Sequence, residues 1–345
     1  MKRIKNIWKR WFNCYRIIGI LIFGFAGINT ISADPLRIVS YNVENLFYPK
    51  HDSVGGEPKD DWEWTPEGEK QWSYTRYYRK VENIARVLTN IGEWDGVDIA
   101  GLQEVENAAC LRRLCYTLKR GEYDFVHYES PDQRGIDVAL VYKRERVDTI
   151  NSRAIRCLLV NSDGSVSATR DILYVCARVK SGGMAEAKGD TLHLFVCHLP
   201  SQRGVAAESE WKRKAAKEVL QRAVDSVYAV EPNAKIIIMG DMNSEPKEDI
   251  RGLRNRMLVI MAKSECKGTH KYQGRWSCLD QFYVSPAIDS ISTAKIYDAG
   301  WIQEPDEKYL GLKPKRTYIG FRYQKDGYSD HLPIELIIND IPLLK

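Results

Sequence analysis

The amino-acid sequence predicts an α/β sandwich, in which β-sheets are covered by helices. Short apolar, β-branched runs of strand length recur along the chain, at Leu36 to Tyr41, Val97 to Leu102, Asp137 to Tyr142, Ile172 to Val179, Leu192 to Cys197, Lys235 to Met239, Asp280 to Val284 and Leu332 to Ile338. Between some of them lie stretches whose apolar residues return every three to four positions, the mark of a helix with one buried face. Strands and helices in mixed order, with no Pro/Gly/Ser linker between them, point to one domain over residues 34–345.

Residues 1–33 read as an export signal. Lys2, Arg3, Lys5, Lys9, Arg10 and Arg16 lead into an apolar run from Ile17 to Ile28, and Ile31-Ser32-Ala33 offers a cleavage site before Asp34. The run is short for a bilayer span, so a periplasmic or secreted protein is expected, with an uncleaved membrane anchor as the alternative. The 345-residue chain carries 51 Lys and Arg against 46 Asp and Glu, but all six basic residues just named precede position 34 and no acid does. The remainder has a net charge of −1, which excludes a bulk positive field as the means of drawing in nucleic acid.

After the first strand, residues 48–72 break into an acidic, Trp-rich insertion (KDDWEWTPEGEKQW), read as a surface loop folding back on the body or as an aromatic wall beside a cleft. A helix is predicted over Tyr74 to Leu88 on Val81, Ile84, Ala85 and Leu88, and another over Glu104 to Lys119. The longest covers Ala206 to Val227, with Trp211, Ala215, Val219, Leu220, Ala223 and Val227 as its stripe. Of the eight cysteines, Cys14 lies in the basic stretch, and the seven others cannot all pair with one another. Cys176 and Cys197 read as buried small hydrophobes, and Cys266 and Cys278 as a pair if the compartment is oxidising. No Cys/His spacing suggests structural zinc.

The chemistry is concentrated at strand ends, where a rigid scaffold presents reactive groups. Asn42 and Glu44 follow LRIVSY, Glu104 follows VDIAGLQ, His198 follows LHLFVC, and Asp241 and Asn243 follow IIIMG; Asp280 opens one strand and Asp330-His331 the last. Residues two apart on an extended chain share a side, so Asn42 with Glu44, and Asp241 with Asn243, are each expected to present their oxygens together. Singly, such residues also cap turns or helices.

Taken in order, SYNVENLF, GLQEVEN, CHLPSQRG, IIIMGDMNSEP, WSCLDQFYVS and YSDHLPI resemble the successive motifs of the endonuclease/exonuclease/phosphatase superfamily, from about Leu36 to Ile338. The resemblance implies a four-layer, DNase I-like α/β sandwich with two packed mixed β-sheets flanked by helices and a divalent-metal site at one edge. It implies that Glu104 ligates the metal with Asn42, Glu44 and Asp330 close by, that Asp241 orients and deprotonates the attacking water beside Asn243, that His331, held by Asp280, contacts the scissile phosphate, and that His198 stabilises developing charge. An oxygen-rich ligand set of this kind favours Mg²⁺ or Mn²⁺ over zinc. Arg203, Arg134 and Arg170 are the expected further phosphate contacts, because a planar guanidinium matches phosphate geometry.

The expected function is therefore that of an exported, metal-dependent phosphoesterase, acting as an endonuclease or exonuclease on the phosphodiester bonds of DNA or RNA. The alternative is a phosphatase or phospholipase-type enzyme on phosphoinositides, sugar phosphates or sphingolipids. A binding module that has lost catalysis is disfavoured, because every acidic and His position of the motifs is filled. The expected partner is the phosphate-ester substrate alone, bound by a monomer.

Overall fold

The computed structural model describes residues 35–51, 59–93, 95–161, 163–180, 190–201, 206–246, 258–260 and 268–339. The export signal, Arg203 and Cys266, and with Cys266 the expected pairing to Cys278, lie outside these residues.

In chain order the elements are β1 (Leu36–Leu46), α1 (Tyr74–Ile91), β2 (Ile99–Val105), α2 (Ala108–Lys119), β3 (Tyr123–His127), β4 (Asp137–Lys143), β5 (Val147–Ile155), β6 (Leu158–Val160), β7 (Val166–Ala168), β8 (Ile172–Val179) and β9 (Thr191–His198). There follow α3 (Ala206–Val230), β10 (Lys235–Asp241), β11 (Leu258–Ile260), β12 (His270–Tyr272), β13 (Arg275–Ser277), β14 (Asp280–Val284), α4 (Pro286–Asp289) and β15 (Ser292–Ile296). The chain ends in β16 (Gln303–Pro305), β17 (Leu312–Pro314), β18 (Tyr318–Ile319), β19 (Arg322–Tyr323) and β20 (Ile334–Ile338).

Two six-stranded mixed sheets, ordered β15-β20-β1-β2-β4-β3 and β11-β14-β10-β9-β8-β5, carry the fold. The central pairs β1–β2 and β9–β10 are parallel and buried on both faces, which is why their sequences are nearly unbroken apolar runs. The sheets pack face to face. Leu194, Val196, Ile237, Met239, Phe282 and Val284 point inward into a core shared with Ile38, Ile99, Leu140 and Leu336 of the other sheet. The approach is closest at Gly101, where an added Cβ would lie 2.6 Å from the Met239 sulfur, so a larger residue there would push the sheets apart.

Helices cover the outer faces and complete four layers. Helix α1 is capped by Ser73, whose side chain accepts the Arg76 N–H, and buries Val81, Ile84, Ala85 and Leu88 as predicted, together with Tyr77 and Lys80. Helix α3 packs Ala216, Leu220, Ala223, Val224 and Val227 on Phe195, Cys197, Ile236 and Ile238. Its buried stripe is turned by about one residue from the predicted one in the first half: Trp211, Ala215 and Val219 are only half-buried and Ala216 takes the core position. Helix α2 begins at Ala108, not Glu104, because Asn107 caps it by accepting the N–H groups of Ala109 and Cys110. Glu104 is thereby left to the end of β2. The insertion folds back on the body: Trp64 stacks on Phe47 with ring centroids 5.0 Å apart, and buried Trp72 donates its indole N–H to the Phe47 carbonyl at 2.8 Å.

Candidate active site

Strand alternation aims three of the site residues. In β10, Ile237 and Met239 face the inter-sheet core, so Asp241, two further on, faces the same way at the end of the strand. The same period of two brings His198 of β9 and Asp280 of β14 to that side, and both pair with Asp241 across the ladder. His198, Asp241 and Asp280 thus form one row that ends the core. Asp241 is preceded by Gly240 at φ +144°, where an added Cβ would lie 1.9 Å from the Cys197 carbonyl oxygen; only glycine fits there.

The opposite sheet meets this row. Asn42 of β1 donates from Nδ2 to Asp241 Oδ2 at 3.1 Å, joining the two sheets at the site. His331, just before β20, lies with Nδ1 2.7 Å from Asp280 Oδ2 and Nε2 3.8 Å from Asp241 Oδ2. His198 Nε2 lies 3.6 Å from Asp241 Oδ2 and 3.9 Å from Glu104 Oε1. Ser329 locks the arrangement by donating to the Asn42 carbonyl and accepting the His331 N–H.

Two of the expected pairings take a different form. Asn42 Oδ1 accepts the N–H of Glu44 and Asp241 Oδ1 accepts that of Asn243, so each pair closes an Asx turn instead of continuing extended. The second member of each pair is left-handed, with φ +53° at Glu44 and +48° at Asn243; Asn45 and Glu104 are left-handed as well. Four such non-glycine residues in one place are the backbone signature of a functional site. Asn243 spends its amide N–H on the Leu199 carbonyl at 2.9 Å.

Glu44 does not share a side with Asn42. Its carboxylate accepts from Arg316 Nε at 3.0 Å and from the Thr317 N–H at 2.7 Å, with the Lys80 ammonium 3.8 Å away. It anchors the Arg316 segment instead of standing open to a metal. Arg170 is likewise no substrate contact: it is buried, bonded to Asp132 at 3.0 Å and to the carbonyls of His198 and Leu199, and braces the His198 loop from beneath. Arg134 is the arginine at the rim, donating to Asn45 Oδ1 at 2.8 Å and lying 4.0 Å from Glu104. Asp330 is paired with Arg316 Nη2 at 3.1 Å.

The electrostatics follow from this crowding. Burial, with Asp280 adding to it and His331 opposing, pushes the Asp241 carboxyl up to about 7. Burial works against charge on His331, yet Asp280 and Asp241 outweigh it and hold the imidazole well above its usual value, as a cation. Burial also works against charge on Asp330, but Arg316 and His331 hold its carboxyl down at about 2. A buried oxygen of Asp280, Oδ1, has no hydrogen-bond partner among the described residues. Glu104 and Asp330, with the Asn42 amide oxygen, are hard oxygen donors of the kind a divalent cation takes, but the carboxylates do not converge: among the described residues the acid/His groups whose ligand atoms all lie within 4.8 Å of one another are His270 with Asp330 and His331, and His127 with Glu129 and Asp137.

Sequence reasoning missed Lys80, Arg316, Thr317 and His270. Lys80 was detectable: it falls three residues after Tyr77 and four before Ile84, on the buried stripe of α1. His270, on β12, bridges His331 through the backbone and packs against it, the rings tilted by 36° with centroids 4.8 Å apart. Burial first, then the neighbouring His331 charge, depress its pKa to about 4.

The chain matches the Endonuclease/Exonuclease/phosphatase family over residues 37–340. No curated protein matches it. Among solved structures it is similar to an endonuclease/exonuclease/phosphatase family protein from Bacteroides thetaiotaomicron, at 16% identity and TM-score 0.55, covering 90% of this chain and 100% of that one. It is similar to a truncated TDP2 from Caenorhabditis elegans at 17% identity and TM-score 0.53, covering 89% and 98%. A mannosyl-6-phosphatase from Bacteroides thetaiotaomicron aligns at 17% identity and TM-score 0.51, covering 88% and 99%. At these identities the structures speak for the fold, and the sequence match speaks for the family. The chain belongs to the endonuclease/exonuclease/phosphatase family, whose members hydrolyse phosphate esters.

Proposed function

We propose that the protein is an exported, Mg²⁺- or Mn²⁺-dependent phosphoesterase whose substrate is a phosphodiester of nucleic acid. The observation that supports it most is the chain Asp280–His331–Asp241, with separations of 2.7 and 3.8 Å, tied at Asp241 to Asn42 of the opposite sheet at 3.1 Å.

Cleaving a phosphate ester requires an in-line nucleophile, neutralised non-bridging oxygens and a stabilised leaving oxygen. Glu104, Asn42 and Asp330 would hold the cation, which supplies charge neutralisation on the phosphoryl oxygens when bound. Asp241, with its raised pKa, is suited to take the proton of an attacking water near neutral pH. His331, kept cationic and oriented by Asp280, offers Nε2–H to the phosphate. His198 sits across Asp241 from His331, where it can stabilise charge on the other side.

A second reading is favoured by one observation. Arg134 and Arg316, with side chains 35% and 43% exposed, flank the carboxylates, and two guanidinium groups suit the dianion of a phosphomonoester. Supercoiled-plasmid nicking beside phosphate release from a panel of sugar and inositol phosphates, each with Mg²⁺ and with EDTA, separates the two. Metal-dependent nicking supports the nuclease reading; phosphate release without nicking overturns it in favour of the phosphatase.

A further inference from the structure

We propose a second, nitrogen-rich cation site, formed by His270, His331 and Asp330, that takes a borderline transition ion of the zinc class and withdraws His331 from catalysis. The ligand atoms of these three residues lie within 4.8 Å of one another. Tetrahedral zinc, with bonds of about 2.0–2.1 Å, needs donors about 3.4 Å apart, so binding requires the side chains to rotate inward, with Asp330 turning from Arg316.

Three features make the group a site. Backbone pairing fixes it: His270 and His331 are bridged antiparallel, and the Leu332 N–H donates to the Thr269 carbonyl at 2.7 Å. His331 is already braced as a metal-bound histidine is, with Nδ1 on the Asp280 carboxylate and Nε2 directed away from it. Neither nitrogen of His270 is used in a hydrogen bond among the described residues, although its ring packs against His331 and lies within reach of both partners. The other His/acid group, His127 with Glu129 and Asp137, differs on this point: His127 Nε2 is bonded to Asp137 at 3.1 Å, and the other oxygen of Asp137 accepts the Ser130 N–H.

Asp330 is common to both sets, and the remaining donors separate the two cations. Mg²⁺ prefers the oxygen set around Glu104, whereas imidazole pairs suit zinc or cobalt. Zinc on His331 Nε2 occupies the lone pair whose proton the reaction uses, so binding inhibits. That inhibition rests on the proposed function; the binding does not.

The test is a CoCl₂ titration of the purified chain in excess Mg²⁺, followed by ZnCl₂ displacement, on the wild type and on His270→Phe, which keeps an aromatic ring against His331 and removes the nitrogens. The expected result is a tetrahedral ligand-field band in the wild type that zinc abolishes. The variant should bind at least as much more weakly as the roughly 10–100-fold lost when an outer-shell partner is removed. An absent band, or equal affinity in the variant, overturns the site. A measurement on the wild type alone covers a variant that does not fold: ZnCl₂ must shift the ring ¹⁵N resonances of both His270 and His331, and a shift at neither or at one overturns it. Zinc should also inhibit Mg²⁺-supported hydrolysis with a midpoint that matches its affinity; binding without inhibition overturns the inhibitory role. Cobalt binding with no Mg²⁺-supported hydrolysis would instead sink the proposed function and leave the site standing.

Discussion

Asp280 Oδ2 and His331 Nδ1, 2.7 Å apart, come from the two different sheets of the sandwich: Asp280 opens β14 in one, and His331 precedes β20 in the other. The pair forms only when the sheets have packed. Asn42 and Asp241 repeat the relationship at 3.1 Å, so the catalytic arrangement and the inter-sheet core are one structural event. Hydrogen bonds across a water-poor interface of this kind hold imidazole orientation firmly.

Asp280→Asn should keep the fold and lower kcat by about 10²–10⁴-fold, the range for a mispositioned general acid or base. The amide neither stabilises the imidazolium nor fixes its tautomer. Steady-state kinetics across pH check this: the alkaline limb should move down with the loss of the Asp280 charge. A profile and rate equal to the wild type would disprove the pairing.

Glu104→Ala should weaken divalent-metal binding and reduce turnover by orders of magnitude while the melting temperature stays near that of the parent. Its carboxylate is 13% exposed at a strand end and makes one backbone hydrogen bond, to the Asn45 N–H, so it adds little to the core. Calorimetric Mg²⁺ or Mn²⁺ titration measures the first effect directly; undiminished affinity would remove Glu104 from the ligand set.

Activity should rise with pH through an acid limb set by Asp241, because the carboxylate is the active form and burial lifts its pKa to about 7. A bound cation favours the charged carboxylate, so saturating Mg²⁺ should shift the limb to lower pH than limiting Mg²⁺. The measurement is kcat/KM against pH at two Mg²⁺ concentrations. A limb near 4 at both, the ordinary aspartate value, would show that Asp241 is not the base.

Lys80→Met should destabilise the protein by about 3–5 kcal/mol, the cost of stranding one partner of a buried ion pair. Lys80 is 1% exposed and donates to the Tyr328 carbonyl at 2.6 Å and to Thr317 Oγ1, beside Glu44. Urea denaturation reads the loss, and Lys80→Met combined with Glu44→Gln should recover part of it.

What was legible in the sequence is that Asp241, His198 and Asp280 stand at the ends of apolar, strand-length runs; the face each takes was not, because a run such as IIIMG is apolar on both faces. The turns at Glu44 and Asn243 replace the expected extended backbone because Asx turns impose a left-handed conformation on non-glycine residues, which no hydrophobic pattern records. Arg170 is expected to contact phosphate and is instead buried on Asp132, a partner 38 residues away that leaves no local trace. His270 and Arg316 lie among the short hairpins between β12 and β19, where pairs of two- and three-residue strands leave no periodicity to read.

The central claim is that this site hydrolyses phosphate esters with a divalent cation and the Asp280-held His331. The most direct test is release of nitrophenol from bis(p-nitrophenyl) phosphate and p-nitrophenyl phosphate by the purified protein, with Mg²⁺ or Mn²⁺, after EDTA, and by His331→Ala. Metal-dependent turnover of at least one ester, abolished by EDTA and lost in the variant, is the predicted result. Turnover that survives EDTA, or that His331→Ala retains in full, would contradict it.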